Sequence, residues 1–190
     1  MVIGSHNSMT YLKPRHWYGW LMIPFARCQN KTLAEQYKAG ARCFDLRIRP
    51  DMKHSFSFAH GFMEMSDGLA IGIDPLYSMA VRDNEKVYIR IILEDVGMNY
   101  PAEAASEWFV NICESFARYY PMFTFFEGRR KSDWKLLYDF PFKPKVQQFV
   151  SSMADDARWY ERIFPRLYAR RTNGTHIPDE DCDIALYDFI

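Results

Sequence analysis

The chain has 190 residues, a length at which a single domain can bury a core of its own, so we predict one domain over residues 1–190. Its formal net charge is zero, which excludes the overall basic field that gathers nucleic acid. We expect a monomer that binds no nucleic acid. Aromatic residues make up 17% of the chain, and such side chains suit either a core or a surface that meets a membrane.

The four cysteines are far apart in sequence and form no CxxC pair. We therefore predict free thiols, with neither a zinc site nor a disulfide framework. No apolar run approaches the ~18 residues of a membrane-spanning helix. We therefore expect a soluble chain without a transmembrane segment that acts at a membrane surface. Secreted and cytoplasmic locations both stay open, as does the removal of an upstream segment.

The first predicted element is a strand over residues 2–5, which leads directly into His6. Residues 11–30 contain two prolines and several aromatics without a clear period, and they are predicted as a long irregular loop. The aromatics of this segment either form a small core or insert into lipid. Beyond the loop, Thr32 and Glu35 have the spacing of a capping box that begins a short helix, and Gly40 ends it.

The stretch AGARCFDLRIRP, residues 39–50, is predicted as the central strand. Side chains alternate along a strand, so Asp45 and Arg47 share one face while the apolar residues between them share the other. A carboxylate beside a planar guanidinium suits a phosphate group. A purely structural ion pair explains the same two residues.

Two further strands carry polar side chains. Residues 56–60 end in His60, and residues 87–95 place Arg90 and Glu94 on one face. Between them, residues 69–81 are weakly helical.

The second half of the chain is predicted to be mixed. Residues 102–120 have the apolar spacing of a helix, residues 123–127 and 134–140 flank a basic loop as a hairpin, and residues 147–168 are mostly helical. A final strand over residues 184–190 carries Asp188.

Strands that alternate with helices predict an α/β fold with a parallel sheet. The polar residues cluster at strand C-terminal ends, where parallel barrels have their sites. We count six or seven strands, fewer than the eight of a closed barrel. The prediction is a compact or distorted TIM-type (β/α) barrel, closed or incompletely closed.

Three sequence motifs resemble those of a known enzyme family. GSHNSMTYL at 4–12, RCQNKTLAEQYKAGARCFDLRI at 27–48 and AHGF at 59–62 resemble successive motifs of the phosphatidylinositol-specific phospholipase C catalytic domain, the X domain. VYIRIILED and ALYDFI are similar to later strands of that family. Glycerophosphodiester phosphodiesterases have a different pattern, with HRG on the first strand and ExD on the second, which this chain lacks.

The resemblance implies a distorted TIM barrel that cleaves the bond between diacylglycerol and an inositol phosphate head group. The inositol 2-hydroxyl would attack phosphorus and give a cyclic phosphodiester. In that scheme His6 matches the general base, His60 the general acid and Arg47 the bacterial family's charge stabiliser at the phosphate. Asp45 matches the acid beside Arg47, and Asp188 matches the carboxylate that orients the base.

The chain departs from the bacterial pattern at three positions. Asn7 stands where bacterial enzymes carry an aspartate, Glu94 stands where they carry a lysine, and Asp139 stands where an inositol-binding arginine is expected. Asn7 and Glu94 match the calcium-dependent eukaryotic choice, but the positive charge of Arg47 disfavours a cation beside them. We therefore expect no metal cofactor, and we expect Asn7, Glu94 and Arg90 to contact the substrate.

Two functions of different classes stay open. In the first, the chain is a phosphodiesterase or lyase that acts on phosphatidylinositol-type lipids or a related inositol phosphodiester at a peripheral membrane surface. In the second, it is a catalytically weak domain that binds phospholipid head groups. A nuclease or a cyclic phosphodiesterase fits the two histidines but not the neutral charge balance.

Overall fold

The computed structural model describes residues 1–51, 55–66, 72–94, 102–128, 134–136 and 144–190. Within these ranges one sheet contains all the assigned strands. In chain order they are β1 (Val2–Ser5), β2 (Cys43–Asp51), β3 (Ser55–His60), β4 (Met63–Glu64), β5 (Val87–Leu93), β6 (Phe123–Gly128), β7 (Lys135–Leu136), β8 (Val146–Phe149) and β9 (Ile184–Tyr187).

The sheet follows the order β7-β6-β5-β2-β1-β9-β8 and curls into an open half-barrel. Every neighbouring pair from β6 to β8 along this path is parallel, and only β7 joins antiparallel. Strands β3 and β4 form a hairpin, and β3 pairs antiparallel with residues 48–51 at the C-terminal end of β2. In the described part of the chain nothing pairs β7 with β8, so the predicted α/β barrel is confirmed in its incompletely closed form.

Six helices cover the sheet or lie at its ends within the described ranges. They are α1 (Trp17–Ala26), α2 (Leu33–Lys38), α3 (Asp74–Asp83), α4 (Ala102–Tyr119), α5 (Trp159–Ile163) and α6 (Pro165–Thr172). The helix α2 begins at the predicted capping box, in which Thr32 Oγ1 accepts from the Glu35 amide at 3.2 Å. Gly40 follows it with φ +105, a conformation that only glycine adopts readily.

The main core lies between the outer face of the sheet and the helices. Phe44, Leu46 and Ile48 of β2 are fully buried there, packed with residues such as Leu33 and Phe109 from α2 and α4. Each such side chain contributes about 1.5–3 kcal/mol through its removal from water. The alternating residues of β2 point to the inner face, as predicted, where they are buried as well.

The predicted irregular loop over residues 11–30 is wrong in its middle, where Trp17–Ala26 form α1. Its apolar residues are not confined to one face: Trp17, Trp20 and Leu21 are exposed while Ala26 is buried. A helix without an apolar stripe gives no 3.6-residue period to detect. Pro24 lies in the last turn of α1, where the missing N–H removes only one hydrogen bond.

The predicted helix over residues 147–168 is also wrong in its first part. Val146–Phe149 form β8, which pairs in parallel with β9, and the next helix begins only at Trp159. The apolar spacing of Phe149, Val150 and Met153 resembles a helix, but Val150 is buried and Met153 is 45% exposed. Pairing with β9 therefore overrides the local pattern. Pro165 occupies the first turn of α6, directly after α5 has ended.

The remaining predictions divide between confirmed elements and residues outside the described ranges. The helix predicted over 69–81 begins at Asp74 with Pro75 in its first turn, and residues 69–71 lie outside the described residues. The predicted hairpin is present as β6 and β7, while its basic loop at 129–131 and Asp139 lie outside. All four cysteines are free and buried. No helix in the described part of the chain is both long and apolar enough to span a bilayer.

Candidate active site

The two ends of the chain meet at the first histidine. Strands β1 and β9 are parallel neighbours with Ser5 opposite Tyr187, so His6 and Asp188 leave the sheet side by side. His6 Nδ1 donates to Asp188 Oδ1 at 2.7 Å, and the two residues are only 4% and 1% exposed. A carboxylate at Nδ1 fixes the tautomer in which Nε2 carries a lone pair. His6 is thereby held as a base.

Arg47 lies beside that lone pair. Parallel pairing sets Arg47 of β2 opposite Ile92 of β5, two residues before Glu94. Its Nη2 donates to His6 Nε2 at 2.7 Å, and its Nη1 donates to Glu94 Oε2 at 3.4 Å. Its Nε lies 3.5 Å from Asp45 Oδ2 without forming a hydrogen bond. These carboxylate contacts are long, so the guanidinium has donors to offer to a phosphoryl group.

Asp45 is fully buried between two arginines. Arg90 Nη1 lies 3.4 Å from its Oδ1, and Arg47 approaches its Oδ2. Burial alone would raise the pKa of the Asp45 carboxyl, but the charges of Arg47 and Arg90, with smaller contributions from His6 and the Asn7 amide, outweigh it and lower the pKa. Asp45 is therefore an anion that orients Arg47.

Arg90 lies on the far side of Asp45 from His6. It is 1% exposed, and its guanidinium stacks over the Trp134 ring at 4.3 Å from the centroid. The expected contact between Arg90 and substrate stays a prediction, since the described contacts of Arg90 are with Asp45 and Trp134.

His60 ends β3 on the opposite side of the same space. Its Nδ1 donates to the Ala26 carbonyl at 2.6 Å, which leaves Nε2 facing the site. The His6 and His60 rings lie 6.4 Å apart between centroids and stand nearly perpendicular, at 82°. Two imidazoles are thus held with their Nε2 atoms towards one region, a geometry that suits a base and an acid on two oxygens of one phosphorus.

Asn7 lies between the two histidines. Its Nδ2 is 3.3 Å from His6 Nε2 and 3.2 Å from His60 Nε2, and its backbone amide donates to Asp45 Oδ2 at 3.2 Å. The residue has φ +47, a left-handed conformation that asparagine tolerates better than most residues. Its Oδ1 is buried without a partner.

The oxygen donors of Asn7, Asp45 and Glu94 do not surround an open position that could hold a calcium ion. Arg47 lies among Asp45 and Glu94, and the two oxygens of Asp45 already face Arg90 and the Asn7 amide. A calcium ion takes six to eight oxygen ligands and has no use for a guanidinium. The residues present therefore do not fit this ion, and metal independence of the activity stays a prediction.

One inner-face residue was missed in the sequence. Arg49 Nη2 donates to the Gly61 carbonyl at 2.5 Å and its Nη1 donates to Glu64 Oε1 at 3.2 Å. It therefore anchors the turn that directly follows His60. The alternation that selected Asp45 and Arg47 places Arg49 on the same face, so the signal was present.

No protein-family model matches the chain, and no curated protein sequence matches it. Among solved structures, the phosphatidylinositol-specific phospholipase C from Listeria monocytogenes superposes with a TM-score of 0.63 at 14% identity, over 99% of this chain and 87% of that one. The chain has the fold of bacterial phosphatidylinositol-specific phospholipases C.

A second phospholipase C structure agrees. A histidine-to-tyrosine mutant of the phosphatidylinositol-specific phospholipase C from Staphylococcus aureus matches with a TM-score of 0.61 at 13% identity, over 99% of this chain and 84% of that one. The resemblance found in the motifs is thus confirmed at the level of the fold. Within the described ranges, this fold brings all eight predicted site residues into one connected cluster: His6, Asn7, Asp45, Arg47, His60, Arg90, Glu94 and Asp188.

Proposed function

We propose that the protein is a phospholipase C that cleaves phosphatidylinositol-type lipids to diacylglycerol and a cyclic inositol phosphate. The observation that supports the proposal is the pair of histidines whose Nε2 atoms both lie within 3.3 Å of the side-chain nitrogen Nδ2 of Asn7. One of them has a carboxylate behind it and the other a carbonyl. A phosphodiester in this space would have a base on one side and an acid on the other.

In the first step His6 acts as the general base. Its Nε2 takes the proton of the inositol 2-hydroxyl as the oxygen forms a bond to phosphorus. The ring becomes an imidazolium, whose positive charge is stabilised by Asp188 at 2.7 Å from Nδ1. Such a base contributes roughly 10²–10⁴-fold to the rate.

His60 acts as the general acid in the same step. As the bond from phosphorus to the glycerol oxygen breaks, Nε2 gives its proton to that oxygen, and diacylglycerol leaves. The Ala26 carbonyl keeps a hydrogen bond to Nδ1 in both protonation states, so the ring holds its orientation throughout.

Arg47 stabilises the charge that develops on the phosphoryl oxygens. In the free protein its Nη2 donates to His6 Nε2, so a bound phosphodiester would draw the guanidinium away from the base and expose the lone pair. The anionic Asp45 and Glu94 lie 3.4–3.5 Å from the guanidinium and keep it near the phosphorus. A positioned charge of this kind is usually a large term in catalysis.

Helix α1 supplies a surface for the lipid bilayer. Trp17, Trp20, Leu21 and Phe25 are 77%, 53%, 67% and 42% exposed, an unusual concentration of apolar side chains on one exposed helix. Tryptophan prefers the interface between head groups and acyl chains. The C-terminal end of α1 delivers the Ala26 carbonyl to His60, so the bilayer contact lies close to the acid.

Mass spectrometry of products released from vesicles tests the proposal. Vesicles that contain phosphatidylinositol should yield diacylglycerol and cyclic inositol phosphate, and vesicles of phosphatidylcholine alone should yield neither. His6→Gln is the matched control for background hydrolysis. Vesicle binding without any product would instead support the head-group binding domain, and a linear inositol phosphate as the first product would contradict attack by the 2-hydroxyl.

A further inference from the structure

One buried thiol lies against the general base and has no part in the proposed reaction. Cys28 follows α1 and is 1% exposed. Its backbone fixes it from both sides, because its amide donates to Thr10 Oγ1 at 3.0 Å and its carbonyl accepts from the Phe189 amide at 2.7 Å. Since Phe189 directly follows Asp188, the thiol is carried to the His6–Asp188 pair.

The three side chains present one ligand atom each within a small volume. The Cys28 sulfur, an imidazole nitrogen of His6 and a carboxylate oxygen of Asp188 all lie within 4.8 Å of one another, and all three residues are buried. In a tetrahedral zinc site, bonds of about 2.0–2.3 Å place the ligand atoms roughly 3.5 Å apart. To reach that geometry the wider separations would have to close by up to about 1.3 Å. The 2.7 Å between His6 Nδ1 and Asp188 Oδ1 would have to open by about 0.8 Å if Nδ1 is the ligand atom.

A fourth side chain points to the same ligand. The Asn7 amide lies against both the sulfur, at 3.5 Å, and His6, and the residue is 2% exposed. Its Oδ1 is buried without any hydrogen-bond partner, which is a costly state for an amide oxygen. A half-turn of the amide exchanges its oxygen and nitrogen and brings Oδ1 against the sulfur and the imidazole as a fourth donor.

We propose that Cys28, His6 and Asp188, with Asn7 as the fourth donor, form an inhibitory site for a zinc-like divalent ion. Thiolate and imidazole select zinc and cadmium over calcium and magnesium. Arg47 contacts only His6 among these donors, through Nη2 at 2.7 Å from Nε2, and would turn aside as the ion binds, while the thiolate and the Asp188 carboxylate offset its repulsion of the cation. The bound ion would occupy the imidazole and carboxylate that the base needs. The inhibition rests on the proposed function, but the binding of the ion does not.

Binding changes the protonation of the thiol. Burial, followed by the nearby Asp188 carboxylate, raises the pKa of Cys28 well above its ordinary value, so the empty site holds S–H. The sulfur loses this proton to solvent as its bond to the metal forms, and the ion therefore binds more tightly as the pH rises. Within the described residues no other group of three ligating side chains of this kind was found.

Cadmium titration tests the site without any assay of activity. The reduced full-length chain should develop the ultraviolet charge-transfer absorption of a cadmium thiolate, saturating at one ion per chain, and calcium should produce none. Cys28→Ala should abolish the absorption. The matched control is Cys182→Ala, which removes an equally buried thiol that contacts backbone carbonyls and should leave the absorption unchanged.

A second measurement guards against a misfolded variant. Zinc should raise the melting temperature of the wild-type chain and not that of Cys28→Ser, a nearly isosteric variant. Zinc should also lower the phospholipase rate of wild type at least tenfold, reversibly with chelator, and spare Cys28→Ser. Cadmium that gives no thiolate absorption in wild type, or absorption that persists in Cys28→Ala, overturns the site. Binding as expected in a chain without phospholipase activity would instead refute the proposed function alone.

Discussion

Arg47 Nη2 lies 2.7 Å from His6 Nε2, so the guanidinium covers the lone pair of the imidazole that we propose as the general base. In the proposed reaction, substrate turns the guanidinium towards phosphorus before His6 acts as a base. Arg47→Lys keeps the positive charge but loses the planar guanidinium with its paired N–H donors. We therefore expect kcat/KM to fall by about 10²–10³-fold. Steady-state kinetics on phosphatidylinositol vesicles measures the loss.

The matched control for this variant is Arg82→Lys, on an exposed part of α3, which should retain the wild-type rate. A fall in kcat/KM of less than about threefold in Arg47→Lys would show that the guanidinium does not contact the reacting phosphate.

The two histidines are distinguished by the leaving group. His6→Ala and His60→Ala should each lower the rate on lipid by at least ~10²-fold, with an unchanged circular dichroism spectrum. On a soluble inositol phosphodiester with a nitrophenol leaving group, which departs without a proton, His60→Ala should recover most of its rate while His6→Ala should not. Equal recovery of both variants would contradict the assignment of base and acid.

Activity should survive a calcium chelator. Of the three candidate oxygen donors, Asp45 and Glu94 lie 3.5 and 3.4 Å from Arg47, and Asn7 donates its backbone N–H to Asp45. The fixed charge of Arg47 repels a cation in a partly dehydrated site by roughly several kcal/mol. The rate of cyclic phosphate formation, measured with and without chelator, checks this expectation. A wild-type rate that vanishes with chelator and returns with calcium would make these three residues metal ligands.

The exposed tryptophans of α1 should matter only at a bilayer. The double variant of Trp17→Ala and Trp20→Ala removes two side chains that are 77% and 53% exposed, so the free energy of unfolding should change by less than about 0.5 kcal/mol. Vesicle binding, measured by sedimentation, should weaken about tenfold or more, because each buried tryptophan contributes on the order of 1–3 kcal/mol.

The control is the soluble inositol phosphodiester, on which the double variant should match wild type. Equal losses on lipid and on the soluble substrate would place these two residues in the catalytic machinery or in the core.

Acid stability should depend on Glu161. Arg171 donates to both of its carboxylate oxygens, at 2.7 and 2.8 Å, and these bonds lower the pKa of Glu161 from its ordinary 4.5 to about 2. A group whose pKa is lowered by folding contributes stability above its unfolded pKa and loses it as the pH falls through the folded value. The wild-type chain should thus lose this contribution between pH 4.5 and about 2.

Glu161→Gln should cost about 2 kcal/mol of unfolding free energy near neutral pH. Its stability should then change less than that of wild type over the acid range. Denaturant unfolding as a function of pH checks both statements, with the exposed Glu114→Gln as the control. Parallel pH profiles for wild type and Glu161→Gln would contradict the role of this ion pair.

The sequence predicted those parts of the fold in which local pattern and tertiary packing agree. The alternation in β2 and β5 identified Asp45, Arg47, Arg90 and Glu94 as neighbours on one face, and parallel pairing does place Asp45 opposite Arg90. The capping box at Thr32 is local by nature. Both signals need only the residues next to one another in sequence or in the same strand.

The wrong predictions lie where contacts between residues distant in sequence determine the local structure. Helix α1 has no apolar stripe, and β8 takes its strand form from pairing with β9. The hairpin that carries His60 runs antiparallel to β2, which a simple alternation of strands and helices does not contain. The thiol of Cys28 reaches the base through loops that no periodicity describes.

The bond between His6 and Asp188 spans 182 positions of the chain. Contacts of such separation form late in folding, because the entropy of closing the intervening chain must be overcome first. The base therefore acquires its carboxylate only when β9 has inserted between β1 and β8. If the proposed mechanism holds, local release of that single strand would abolish catalysis while β2, β5 and β6 stay paired. The rate of the reaction should then report on the docking of β9 before any spectroscopic sign of global unfolding.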